Sequence, residues 1–187
     1  TGRSGSGKST LLSMTGGLLK PTSGKIFIGE TDLYASDDET LSKFRNKNIG
    51  MIPQGQSALK NLTIMENILL PAHLYNSEVD ESRAKELLNT VGIENLADSL
   101  PNELSGGELR RMSIIRALIL NPGIILADEP TGDLDDKNTE IILSLLRKSA
   151  DAGKTVLLVT HENTAKDYAD DVYTMTSGKL TRLAKDR

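Results

Sequence analysis

The chain has 187 residues, enough for one domain with a sizeable core. Its net charge is −4, which excludes a broad basic surface for nucleic acid. Cysteine is absent, so disulfides and thiolate metal sites are excluded. The longest apolar stretch, 114–126, is broken by Arg116, Asn121 and Pro122, short of the ~18–20 apolar residues of a membrane helix.

Gly2-Arg3-Ser4-Gly5-Ser6-Gly7-Lys8-Ser9 fits G-x-x-x-x-G-K-[S/T] at every fixed position. Glycines let backbone N–H groups turn toward an anion, and a helix from about Lys8 to Met14 would aim its dipole at the same point. Lys8 is expected to reach the β- and γ-phosphates of a nucleoside triphosphate, and the Ser9 hydroxyl to hold Mg2+. The expected ATP-binding set is Gly2, Ser4, Gly5, Ser6, Gly7, Lys8, Ser9 and Thr10, with Gln54 further along the chain. No strand stands before the loop in this sequence, so the chain reads as N-terminally shortened. A covered strand there would contribute on the order of 10 kcal/mol, against a total stability of ~5–15 kcal/mol. These residues alone are therefore expected to be poorly soluble or inactive.

Pro21-Thr22-Ser23-Gly24 reads as a turn, 25–29 as a strand, 40–46 as a short helix and 49–52 as a buried strand. Gln54 follows that strand at a hinge, where its amide could join a Mg2+ shell. Residues 57–104 carry two helical patterns, 63–75 with Pro71 as a kink and 81–91, and no strand signal. His73 in this stretch is read as an ordinary helix residue.

A helix is expected over 105–120, with Ser105 as N-cap and Glu108 completing a capping box. Leu109, Met112, Ile115 and Ile119 form its apolar stripe, and Arg110-Arg111 reads as a solvated face. Ser105-Gly106-Gly107 is a second anion site by the same physics as the first. One domain rarely needs two such sites for one nucleotide, so the second is expected to cover the phosphate bound by another copy.

The apolar runs 124–127 and 156–159 suit parallel strands covered on both faces, with a helix between them capped by Asp135 or Asp136. Asp128 and Glu129 then fall at a strand's carboxyl end, where α/β sheets bind ligands. Asp128 is expected to hold Mg2+ and Glu129 to act as general base on the attacking water. His161 also follows a strand and could contact the γ-phosphate. A final strand pair near 171–176 and 179–183 turns at Ser177-Gly178. The fold class is α/β: a P-loop core with a mainly parallel sheet and an inserted all-helical subdomain.

These motifs, in this order, resemble the nucleotide-binding domain of ABC transporters. The chain is similar to that family in its Walker A loop (Gly2–Ser9), Q-loop glutamine (Gln54) and signature (Leu104–Glu108). The likeness continues through Walker B with its glutamate (Ile124–Glu129), the D-loop (Gly132-Asp133-Leu134-Asp135) and the switch histidine (His161). The stretches 19–24, 61–67 and 127–135 look most like the subgroup exporting lipoproteins, macrolides and antimicrobial peptides. The resemblance implies one ABC ATPase domain over 1–187, with a core of 1–56 and 114–187 and a helical subdomain of 57–113. It implies ATP and Mg2+, with Glu129 and His161 catalytic and Ser9, Gln54 and Asp128 at the metal. It also implies that Ser105, Gly106, Gly107 and Glu108 act in trans within a head-to-tail dimer. The expected partner is a transmembrane permease at the cytoplasmic face of the membrane, with no nucleic acid. Three departures stand out: Glu108 where Gln is usual, Asp133 where Asn is common, and Met51-Ile52-Pro53 before Gln54. The alternatives are an inactive or partial remnant of such a domain and a soluble ABC ATPase outside transport. The short 57–104 stretch, with no long coiled coil, counts against a chromosome-type member.

Overall fold

The computed structural model describes residues 1–183 except Gln56, Asn76 and Asp133. In chain order its elements are α1 (Lys8–Thr15), β1 (Phe27–Ile28), β2 (Thr31–Asp32), α2 (Asp38–Asn48), β3 (Ile49–Ile52), α3 (Ile64–His73) and α4 (Glu81–Thr90). There follow α5 (Gly106–Leu118), β4 (Ile124–Asp128), α6 (Asp136–Asp151), β5 (Thr155–Val159), β6 (Tyr173–Thr176) and β7 (Lys179–Arg182). No helix among the described residues is long and apolar enough to cross a membrane.

The site rests on a parallel sheet of order β3-β4-β5, with Ile49 opposite Ile124 and Ile124 opposite Thr155. Successive side chains of β4 point to opposite faces, and both faces are covered. Leu126 packs with Leu12 of α1, Ile49 and Val159 on one side. Ile125 and Ala127 join Ile114 and Ile115 of α5 and Ile142 and Leu146 of α6 on the other, in a core that runs on through α3 and α4. This is the α/β architecture expected. Helix α5 runs unbroken across the expected boundary at 113–114. It approaches β3 closely because Gly50 has no side chain; a Cβ there would lie 2.3 Å from the Ala117 carbonyl oxygen.

Local chemistry explains most of the element ends. Asp37 caps α2 by accepting from the Thr40 N–H at 2.8 Å, so this helix starts two residues before the expected Thr40. Thr63 and Glu66 form a capping box on α3, Asp80 caps α4, and Asp135 caps α6. The single strand expected over 25–29 is instead a short hairpin, in which Phe27 faces Asp32 and Ile28 faces Thr31. A 2.9 Å ion pair from Lys25 to Asp32 spans it. Near the C-terminal end, the β6–β7 hairpin docks on the glycine-rich loop. The Met175 N–H donates to the Thr1 carbonyl and the Gly178 N–H to the Ser6 carbonyl, both at 2.9 Å.

Candidate functional site

The carboxyl ends of the three parallel strands and the start of α1 surround a cleft of about 760 Å3. Of the residues expected from the sequence, Gly2, Ser4, Gly5, Gly7, Lys8, Ser9, Thr10, Gln54, Asp128, Glu129 and His161 line it. Gly106 reaches it as well, whereas Ser6, Ser105, Gly107, Glu108 and Asp135 are not among its lining residues. Ser6 is buried. Asp133 lies outside the described residues.

On one side of the cleft, α1 begins without a side-chain cap and without an acidic residue in its first turn. Its N-cap is Gly7 at φ +104°, a conformation that a side chain would strain. The N–H groups of the first turn therefore keep their capacity for an anion. Lys8 Nζ bends back over the loop and donates to the Gly2 and Arg3 carbonyls at 2.9 Å each. That posture holds a cation against the glycine-rich loop.

Across the cleft, β4 ends in the buried carboxylate of Asp128. Glu129 follows at φ +47°, a left-handed conformation that costs a non-glycine residue roughly 1–2 kcal/mol. Its backbone is tied on both sides. The N–H donates to the Val159 carbonyl at 2.8 Å, and the carbonyl accepts from Gly132 N–H at 3.2 Å and from Arg110. The turn points the Glu129 side chain at His161, whose Nδ1 lies 3.0 Å from Oε1, with the His161 N–H 3.4 Å from Oε2. The hydrogen bond and charge of Glu129 raise the His161 pKa above its ordinary 6.5, against smaller opposing effects of desolvation and Lys8. His161 remains largely exposed and Glu129 is mostly covered.

The expected solvated face at Arg110-Arg111 is corrected: Arg110 is buried, 3% exposed. Its guanidinium donates to the Pro130 carbonyl at 2.9 Å, to Pro53 at 2.5 Å, to Gly55 at 2.9 Å, to Asp128 at 3.0 Å and to Glu129. Sequence reasoning missed this residue and also the Thr131–Glu162 pair, where the Thr131 hydroxyl donates to the Glu162 carboxylate at 2.7 Å beside the cleft. The burial of Arg110 is seen only in the structure. Ser113 and Ile114, three and four positions on, share its face of α5, and both are buried.

The start of α5 is closed where that of α1 is open. Ser105 Oγ donates to the Glu108 carboxylate at 2.6 Å, Ser105 N–H donates to it at 2.7 Å, and Glu108 N–H returns to Ser105 Oγ at 3.4 Å. These bonds hold the Glu108 carboxyl below its ordinary pKa. At the start of α6, Asp135 accepts from the Asn138 N–H and side-chain amide at 2.8 and 2.9 Å, which lowers its pKa likewise.

Ser9, Gln54 and Asp128 offer a hydroxyl, an amide and a carboxylate to one cleft. Such hard oxygen donors suit Mg2+ completed by water and substrate phosphates. Among the described residues no cluster of three His, Cys, Asp or Glu side chains forms an all-protein metal cage.

Comparison with known proteins finds relatives over nearly the whole chain. The family model described as ABC transporter matches residues 1–132. The lipoprotein-releasing system ATP-binding protein LolD 1 of Rhodopirellula baltica is 42% identical over 188 residues, 98% of this chain and 82% of that protein. The ABC transporter ATP-binding protein YtrE of Bacillus subtilis is 41% identical over 182 residues, 96% of this chain and 79% of that protein. Among solved structures, the ATP-binding cassette MJ0796, in a dimeric post-hydrolysis state bound to ADP and Pi, superposes with a TM-score of 0.90. It is 38% identical, over 98% of this chain and 83% of that one.

Proposed function

This chain belongs to the ABC transporter family as an ATP-binding ATPase subunit, and from that premise we propose that two copies close head to tail on ATP to drive a membrane permease in export. Each site combines Lys8, Ser9, Gln54, Asp128, Glu129 and His161 of one copy with Ser105, Gly106, Gly107 and Glu108 of the other, and Asp135 of the D-loop lies at the seam. The observation that carries the catalytic reading is the Glu129–His161 contact of 3.0 Å, which lies across one cleft from Lys8.

The chemistry follows from these groups. Lys8 exchanges the Gly2 and Arg3 carbonyls for phosphate oxygens, a stronger charge-assisted pairing. The open N–H groups of α1 and the glycine-rich loop cradle the phosphates. Glu129 takes the proton of the attacking water at its carboxylate, and His161 orients that carboxylate through Nδ1. Ser9, Gln54 and Asp128 would hold Mg2+, which neutralises phosphate charge when bound. MJ0796 as a dimer with ADP and Pi supports the paired arrangement. The name of the lipoprotein-releasing relative is in keeping with export, and the subunit is read as held at the cytoplasmic face of the membrane through its permease. Residues 57–113 are read as the helical subdomain of this cassette.

Glu129→Gln tests the reading. It is expected to keep ATP affinity, lower kcat by about 100-fold or more, and accumulate a nucleotide-bound dimer, as seen by size-exclusion chromatography. Hydrolysis at the parent rate would remove Glu129 from the base role.

A further inference from the structure

Arg110 makes contacts that the catalytic reading does not use. All five N–H groups of a guanidinium lie in one plane with fixed directions. In Arg110 they meet five carbonyls: Pro53 and Gly55 on one side, and Asp128, Glu129 and Pro130 on the other. The two groups of acceptors bracket two cleft residues. Pro53 and Gly55 flank Gln54, and Asp128 and Pro130 flank Glu129. Gln54 and Glu129 are far apart in the chain, at different strands' ends, and this side chain ties the Glu129 carbonyl to the carbonyls on either side of Gln54. It also sits on α5, about one turn past Gly106, at the start of the helix that carries Ser105 and Glu108. Further along α5, Arg116 donates to the Ser57 carbonyl at 2.8 Å, so the same helix also holds the segment that leaves the hinge.

We propose that Arg110 is a positioning residue that sets Glu129 and Gln54 in register with each other and with the start of α5. It fixes the left-handed turn at Glu129 by binding that residue's own carbonyl and the carbonyls on either side. The carboxylate is thereby aimed at His161 and the cleft rather than along the strand. The same planar group fixes the hinge backbone around Gln54, so a shift of α5 moves both at once. The inference rests on the reading of Glu129 as the base and Gln54 as a cleft ligand. Lysine, with one ammonium in place of the fork, cannot span the five acceptors.

The test compares Arg110→Lys and Arg110→Met with the parent in the intact protein. ATP affinity, kcat, KM, thermal stability and the NMR titration of His161 are read for each. Arg110→Lys keeps the charge and is the variant on which the test turns if Arg110→Met fails to fold. The expected result is a kcat about 10- to 100-fold lower, as for a base displaced by a fraction of an ångström to an ångström, with KM within about threefold. The His161 midpoint is expected to move down toward 6.5, because its Glu129 partner is no longer aimed at it. A folded Arg110→Lys with parent kcat and an unchanged His161 midpoint overturns the proposal. So does a loss of kcat matched by an equal loss of ATP affinity, which a purely structural role produces. Glu129→Gln, run alongside, separates the two readings. If it hydrolyses ATP at the parent rate, the base assignment fails, while the His161 titration in Arg110→Lys still decides whether Arg110 positions Glu129.

Discussion

Two helices in this molecule begin at glycine-rich turns, and their starts differ. Helix α1 opens at Gly7 with no side-chain cap and no acidic group in its first turn, and Lys8 leans over it. Helix α5 opens at Ser105 with a complete capping box, and its first turn carries the Glu108 carboxylate. Each start has the same unpaired N–H groups and the same dipole. The first leaves them for an anion from outside; the second answers part of them with its own anion. On the proposed function, the uncapped start is the one that takes the nucleotide held by the same chain. The second start is held by its own capping box, and the proposed dimer assigns it to a ligand presented by another copy.

The largest break in this comparison comes from removing the cation. Lys8→Ala should weaken ATP binding by about 100-fold, the loss of one or two charge-assisted bonds of ~1.5–3 kcal/mol each, measured by nucleotide titration. Unchanged affinity would mean that the open helix start binds phosphate unaided. Gly7→Ala forces a side chain into φ +104° and should cost about 1–2 kcal/mol in urea unfolding. Ser105→Ala should cost about 1 kcal/mol of stability through the lost cap, leave the monomer's ATP affinity unchanged and lower kcat. A parallel loss of monomer affinity would put the second start in the same nucleotide site as the first.

The smallest effect sharpens the contrast. Glu108→Gln removes a charge that favours the helix dipole and should cost about 0.3–1 kcal/mol near neutral pH. The folded Glu108 pKa lies below its ordinary value, so its contribution is present above the unfolded pKa and lost as pH falls through the folded one. The difference in urea stability between the parent and Glu108→Gln should therefore vanish in acid. A difference that persists there would assign Glu108 a packing role in place of an electrostatic one.

Much of this contrast can be read in the sequence, because it is local. Lys8 starts α1, Ser105 and Glu108 close α5, and Asp135 caps α6 through bonds spanning three or four residues. The strand 49–52 is legible from its own apolar run, with bounds matching β3. What escapes is long-range. The Arg110 bonds to Pro53 and Gly55 join residues 57 and 55 positions apart, and nothing near Arg110 announces those carbonyls. A charged residue beside another charged residue reads as solvated, and only the convergence of two strand ends on α5 reverses that. The same holds for His161, placed at a strand end by its apolar run but paired with Glu129 only by the β4–β5 register. The β1–β2 hairpin escapes for the opposite reason: with two residues in each strand, it has too little pattern to read.

The central claim is that the open start of α1 and the capped start of α5 complete each other across two copies. Mixing two inactive variants tests it most directly. One carries Lys8→Ala. The other carries Ser105→Asp, which can still accept the Glu108 N–H but loses the hydroxyl's donation to the Glu108 carboxylate and sets a negative charge against phosphate. In a two-fold dimer, each mixed pair holds one site with both defects and one with none. Equal mixing should therefore restore ATP hydrolysis to about a quarter of the parent rate from near zero, since half of the pairs are mixed and each has one good site. No recovery, with mixed dimers formed, would mean that both helix starts serve the nucleotide of a single chain and would contradict the account.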